Sequence, residues 1–444
     1  MAVVSGPADI ARAVYGSWSV AHVPSKLRKK IEWLFRRAEG RLLASDVLAS
    51  EGKHLDPDGA TMALVASRDD IAIVGDEARL DALRDAESDE TALASYRDRY
   101  GVCGVHAFAT GTGAAAVRIY RLEVETFPRH VNNLYVVCTT HEGAPFTLLL
   151  DAGSGLASSR RDLALAFATL RTTFGEPVRW EDLDWCLVSH AHSDHFGGVN
   201  VLAKTSRAKL AIHEIDAPVL TEFESRLAQV AKDLDAYWHR AGVPTEQRTL
   251  MRDMYLAEKA IFRSEPVHRV LRDGDTIGPG FVVHHVPGHC PGLVCLQIHD
   301  VLLTSDHVLA RITPHQFPEA IRPFAGLAHY FRSLAKIRAL PGIRVALGGH
   351  EEPILDLRTR IDEIEAFHRD RLDRVLGICT SPRSIHDVAL ELFGERKGYD
   401  VILAIDEAGA HVEYLHQTGR LREDATDETA RYVTTAGVVA APAS

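Results

Sequence analysis

The sequence predicts an α/β (α+β) protein with a helical C-terminal cap, on three observations. From about residue 116 to 355, short apolar runs alternate with segments of helical period. Beyond residue 356 the helical period takes over. Hydrophobic residues make up 46% of the 444-residue chain and charged residues 25%, the balance of a globular core rather than of disorder, collagen or coiled coil. This texture divides the chain into an N-terminal α+β segment (1–115), a central unit (116–355), a helical unit (356–424) and a small, polar, flexible tail (425–444).

In the N-terminal segment, Leu27, Ile31, Leu34, Ala38 and Leu42 fall at helical spacing. The opposite face carries seven Lys/Arg against two Glu between Lys26 and Arg41. It reads as a solvated face, with an acidic partner, a nucleic acid or a membrane surface as the functional alternative. Residues 61–67 and 70–75 read as a short hairpin around Arg68-Asp69. Strands follow at 117–124, 134–140 and 146–150, the last running into Asp151-Ala152-Gly153-Ser154-Gly155. A helix over 158–174 has Ser158 or Ser159 to cap it and Gly175 to stop it. Residues 185–189 form a short buried strand that delivers the chain to His190, and 216–261 is helical, broken near Gly242-Val243-Pro244. Strands resume at 270–277, 281–286, 294–298, 301–304 and 345–347. Helices at 357–377, 384–393 and 405–417, closed by a turn at Gly419-Arg420-Leu421, suggest a winged-helix-like cap.

Charge and composition narrow the function. With 50 basic against 61 acidic residues, net −11, the chain has no general affinity for nucleic acid or anionic membrane. Residues 381–424 carry five basic and nine acidic side chains, the wrong sign for gripping a phosphate backbone. No apolar run reaches 18 residues, and the first residues lack the basic and apolar regions of an export signal, so the expected location is cytoplasmic. Six scattered cysteines read as buried thiols, not as a disulfide framework. Gly111-Thr112-Gly113 is too short to cradle a phosphate.

The histidines number 23, and their placement carries the chemistry. His190-Ala191-His192-Ser193-Asp194-His195, followed by Phe196-Gly197-Gly198, sits directly after an apolar strand. Four potential ligands in six residues on a loop can converge on one or two cations, because a loop is not tied to one helical face. Three more isolated ligands each follow an apolar strand: His289, Asp306 and His350. Ligands on strand-end loops along one rim of a scaffold suit a preorganised site. Cys290 and Cys295 flank a ligand, but a soft thiolate site needs several cysteines converging; both read as core, as does Tyr330. His284, His285 and His299 read as core in the same way.

Asp151, His190-x-His192-x-Asp194-His195, His289, Asp306 and His350, in this order, resemble the five motifs of the metallo-β-lactamase superfamily across about residues 117–355. The set is most similar to its glyoxalase-II-like hydrolases, where a winged-helix-like C-terminal addition is common. The resemblance implies an αββα sandwich with a dinuclear metal centre at one edge. It implies that His190, His192 and His289 hold one metal, that Asp194, His195 and His350 hold the second, and that Asp306 bridges them. Asp151 would brace the metal loop. The implied cofactors are two divalent ions, Zn2+ first, with Fe or Mn as alternatives. The implied reaction uses a bridging hydroxide on a small ester-like substrate, a thioester or lactone, with Asp194 steering the nucleophile's proton. His307 and His315 are candidates for substrate contact or for bracing ligands. Leu293 stands where many glyoxalase-II-like proteins carry a further histidine.

Other readings remain beside the hydrolase of small molecules. The winged-helix-like tail resembles that of RNA-cleaving superfamily members, and the basic face at 26–41 would then grip RNA. Persulfide dioxygenases of the same superfamily keep most of these ligands around a single iron. A structural metal in a non-enzymatic scaffold is disfavoured, since structural sites are closed and rarely use a bridged pair. The expected partner is a small-molecule substrate, with no membrane; nucleic acid is disfavoured. The N-terminal segment or the tail could pair subunits into a homo-oligomer.

Overall fold

Neighbouring residues of the central strands point to opposite sides, and that alternation builds the fold. The computed structural model describes residues 104–127, 130–424 and 428–435. The expected helix at 26–41 and hairpin at 61–75 lie outside them. Seven strands run in order through the first sheet: β1 (Val105–Thr110), β2 (Val117–Phe127), β3 (His130–His141), β4 (Ala144–Leu150), β5 (Trp185–Leu187), β6 (Lys209–His213) and β7 (Arg269–Leu271). The first four pair antiparallel and the last three join in parallel. The second sheet contains β8 (Thr276–Ile277), β9 (Phe281–His285), β10 (Val294–Ile298), β11 (Val301–Ser305) and β12 (Val345–Gly348). It too is mixed, since β11 and β12 are parallel and the rest antiparallel.

Leu148 and Leu150 face the second sheet, where they meet Val283, Leu296, Leu303 and Leu347 in one core. Leu149, between them, packs outward against helix α1 (Ala157–Thr172) through Leu163, Phe167 and Leu170. Leu302 of the second sheet likewise faces away from its neighbours Val301 and Leu303, into a third core. That core is closed by helices: α5 (Phe223–Arg240), α6 (Thr245–Lys259), α7 (Leu327–Arg338), α8 (Leu357–Ile378), α9 (Ile385–Phe393) and α10 (Asp400–Gln417). Three cores of fully buried side chains, each worth about 1.5–3 kcal/mol per large apolar residue, therefore hold an αββα sandwich with helices outside both sheets. Short helices α2 (Ser193–Phe196), α3 (Val199–Thr205) and α4 (Ala217–Thr221) lie in the connections of the first sheet.

Several expectations shift. The run expected as one strand at 270–277 is two: β7 ends the first sheet and β8 begins the second. A turn separates them, with Gly274 at φ +81° and the Asp275 carboxylate accepting from the Arg272 N–H at 2.8 Å. The serines expected to cap α1 do not; Leu156 occupies the cap, and Ser159 Oγ accepts from the Ser154 N–H at 3.3 Å instead. The last helix begins at Asp400 rather than 405. Strands β1 and β6 and helix α7 were not legible as elements, nor was the antiparallel hairpin β13 (Leu421–Asp424) and β14 (Arg431–Thr434) after α10. No helix among the described residues is long and apolar enough to cross a membrane.

Candidate metal centre

The loops that leave β4, β5, β9, β11 and β12 open on one rim of the sandwich; the first delivers the bracing Asp151 and the other four the candidate ligands. Three of them turn through non-glycine residues with left-handed backbone: Asp151 (φ +67°), Ser305 (φ +47°) and Glu351 (φ +66°). Such residues cost on the order of 1–3 kcal/mol each and persist where surrounding bonds over-determine them. Here they are over-determined. Asp151 N–H donates to the Leu187 carbonyl at 2.9 Å, and Ser305 Oγ lies 2.7 Å from Ser189 Oγ.

His190, His192 and His289 bring ring nitrogens within 4.8 Å of one another, and so do the ligand atoms of Asp194, His195, Asp306 and His350. Asp306 Oδ2 lies between the two groups. It is 3.2 Å from His195 Nε2 and 3.4 Å from His350 Nε2, and 3.7 Å from His289 Nε2 and 3.9 Å from His190 Nε2. The outward nitrogens are anchored, which orients the inward ones. His195 Nδ1 donates to Asp151 Oδ2 at 2.8 Å, His350 Nδ1 to the Val131 carbonyl at 2.7 Å and His289 Nδ1 to the His315 carbonyl at 2.6 Å. Asp151 also accepts from the Ser189 N–H at 2.7 Å and the Ser189 hydroxyl at 2.8 Å. It therefore holds the start of the histidine loop and one of its histidines together.

Burial disfavours charge on every imidazole here. It holds His190 and His192 well below the ordinary range, with neighbouring imidazoles adding to the effect, and lowers His289 as well. At His195 burial is outweighed by Asp194, Asp306 and Asp151, which push its pKa well up. His350 is likewise carried against burial to about 8, chiefly by Asp306. Burial would raise Asp194 and Asp306, but the facing His195 and His350 hold both well below the carboxylate range. The imidazoles of His190, His192 and His289, held neutral, and the ionised carboxylates are donors that divalent cations take, and His195 and His350 would release their protons on binding one. His289 Nε2 and Asp306 Oδ1 are buried without any hydrogen-bond partner, as expected of atoms whose partner is a cation. Cys290, next to His289, is no thiolate donor: burial pushes its pKa well up and its Sγ donates to Asp216.

His315 braces His289 through its carbonyl, and its ring lines the cleft. His307 is fully buried against Tyr330 and is not part of the cleft lining. Sequence reasoning missed several neighbours. His130 Nε2 (3.1 Å) and Asn132 Nδ2 (2.9 Å) both hold Asp194 Oδ2. Glu407 of α10 accepts from the Gln316 N–H at 2.7 Å and pins the loop that carries the His315 carbonyl. Arg322 reaches His192 Nε2 at 3.1 Å. The one available signal was Asn132-Asn133, a polar pair inside an apolar strand. The centre forms the floor of a cleft of about 1230 Å³, large enough for a small organic substrate.

The family model of the metallo-beta-lactamase superfamily matches residues 128–350, half of the chain. Among solved structures, a metallo-beta-lactamase family protein of Thermus thermophilus is 25% identical with a TM-score of 0.58, covering 71% of this chain and 98% of that one. A beta-lactamase domain protein of Burkholderia ambifaria is 23% identical with a TM-score of 0.60, covering 74% of this chain and 94% of that one. No curated protein matches the chain.

Proposed function

From the premise that this chain belongs to the metallo-beta-lactamase superfamily and is a metal-dependent hydrolase of that fold, we propose that it cleaves a small ester-like substrate, a thioester or lactone, at a dinuclear centre. The observation that carries this reading is the place of Asp306 Oδ2 within 3.9 Å of four ligand imidazoles, two from each group. His190, His192 and His289 would hold one ion, Asp194, His195 and His350 the other, with Asp306 shared. Two divalent ions there supply an acidified water and a polarised scissile carbonyl.

The chain's own residues do the rest. Asp194, ionised and oriented by Asn132, directs the proton of the attacking water. His130, in contact with that carboxylate and half exposed, offers the proton a way to solvent. Asp151 and the His315 carbonyl keep the ligand rings turned inward. The acidic chain favours a small molecule over a polyanion. Within the superfamily we place it near the glyoxalase-II-like hydrolases, reading α8–α10 and their hairpin as the winged-helix-like addition; Leu293 sets it apart from many of them.

Elemental mass spectrometry on anaerobically purified protein, beside Asp306→Ala, tests the centre. Two zinc or manganese ions per chain, falling in the variant, are expected. One iron per chain, indifferent to the substitution, would instead put persulfide oxygenation first. Failure of the fully loaded protein to cleave any thioester or lactone would remove the substrate assignment.

A further inference from the structure

One wall of the cleft is shared with a second, smaller cavity of about 260 Å³. His192, Lys259 and Arg322 line both. Beyond them the lining is mainly apolar, with Ile215, Val219, Phe223, Leu227 and Val230, and Asp216 and Arg226 also border it. A molecule whose reacting carbonyl sits over the metal ligands therefore has a greasy recess within reach, and must pass this wall to enter it.

The cations of the cleft differ in how they are satisfied. Arg121 pairs with Glu123 at 3.0 Å, Lys259 with Glu258 at 2.9 Å and Arg311 with Glu352 at 3.0 Å. No carboxylate among the described residues is within 4.0 Å of the Arg322 guanidinium, whose Cζ lies over the Phe317 ring at 4.3 Å. Asp216, the nearest acidic lining of the recess, is already committed to the N–H groups of Ala191 (2.8 Å) and Gly292 (2.9 Å). Among the described residues the Arg322 guanidinium has one hydrogen-bond partner, His192 Nε2 at 3.1 Å.

That partner is conditional. His192 Nδ1 lies 2.9 Å from His190 Nε2 and so faces the ligand group. When Nδ1 gives its lone pair to a cation, the neutral ring carries its proton on Nε2. Arg322 then faces a second donor, and an arginine can only donate. Two donors at the mouth of the recess call for an acceptor oxygen, best a charged one.

We propose that Arg322, with His192 Nε2–H beside it, is the specificity residue of the cleft, recognising a carboxylate or phosphate oxygen on a substrate whose apolar portion enters the adjoining recess. The inference rests on the hydrolase reading for its catalytic meaning, though not for the anion site itself. It narrows the substrate to an amphipathic anion, such as a thioester or lactone carrying a free acid beside an alkyl group.

Calorimetric titration of the metal-loaded full chain tests it, with pentanoate, butyl phosphate and neutral pentanamide as probes. Arg322→Met is expected to weaken the preferred anion at least about tenfold, as loss of a charge-assisted pair does, and to leave pentanamide binding where it was. Whichever of pentanoate and butyl phosphate shows the loss identifies the anionic group. Arg322→Gln, shorter and uncharged but still a donor, is read in the same way should the methionine variant lose its fold or metal. Equal dissociation constants for both anions in wild type and variant would overturn the assignment. Lengthening the carboxylate from propanoate to hexanoate should tighten binding severalfold per methylene; a flat series would overturn the recess. In parallel, neutral-handled thioesters with a free carboxylate are compared with their methyl esters. If none is cleaved, the thioester assignment fails, while the titrations still decide Arg322.

Discussion

Asp151 binds no ligand position, yet three hydrogen bonds converge on its carboxylate, and two of them end on Ser189 and one on His195. Its left-handed backbone makes that convergence possible by turning the carboxylate under the histidine loop. Asp151→Asn keeps the size of the side chain but loses one acceptor and places an N–H opposite a donor. Metal affinity, measured by chelator competition, is expected to fall by about 10–100-fold with little change in far-UV circular dichroism. Unchanged affinity would mean that the ligand rings are oriented by packing alone.

At the scale of elements, the centre depends on how closely two strand ends approach. The loops after β11 and β12 meet at Gly349, where a Cβ would lie 2.2 Å from Asp306 Oδ1 and 3.1 Å from His195 Cε1. Real side chains do not tolerate the shorter distance, so Gly349→Ala must push the Asp306 carboxylate aside. The contact lies one residue past the end of each strand, outside the sheet cores. The expected outcome is a folded protein whose metal content drops below two ions per chain by elemental analysis. A fully loaded alanine variant would show that the two loops can separate freely. Glu407 makes a comparable connection from the other side, since α10 reaches the Gln316 backbone through it.

For the whole molecule, sandwich and C-terminal helices share one core: Val286, Leu302 and Ala346 pack in a single cluster with Ile361, Leu372, Ile402 and Val412. Asp406 of α10 is buried in this seam at 1% exposure, and burial pushes its pKa up to about 7, with Arg322 only partly opposing. An unfolded Asp titrates near 4. The folded state therefore holds a proton that the unfolded state has lost between about pH 4 and 7. Its stabilisation is full below pH 4 and disappears as pH rises through 7. Thermal melts should show stability falling over that window by on the order of a few kcal/mol. Asp406→Asn should flatten the slope; an unaltered slope would place the linkage elsewhere.

The ligand set was legible because it is written locally: a histidine run after an apolar strand, and three single ligands each after another such strand. Strands β10 and β12 and helix α8 were legible for the same reason, their burial following their own period. What the chain alone determined was the donor chemistry and the αββα class implied by motif order. Only the tertiary structure decided which atoms face inward, because that depends on Asp151, Val131 and His315 supplying the outward bonds from distant segments. It also decided that the run after His268 splits between two sheets, that His307 turns away from the cleft, and that His130, Asn132, Arg322 and Glu407 approach the centre. Apart from the polar pair Asn132-Asn133 in an apolar strand, none of these has a local pattern. Each is placed by a contact between segments tens to hundreds of residues apart, and such contacts are selected by packing of the whole core rather than by any neighbour in sequence.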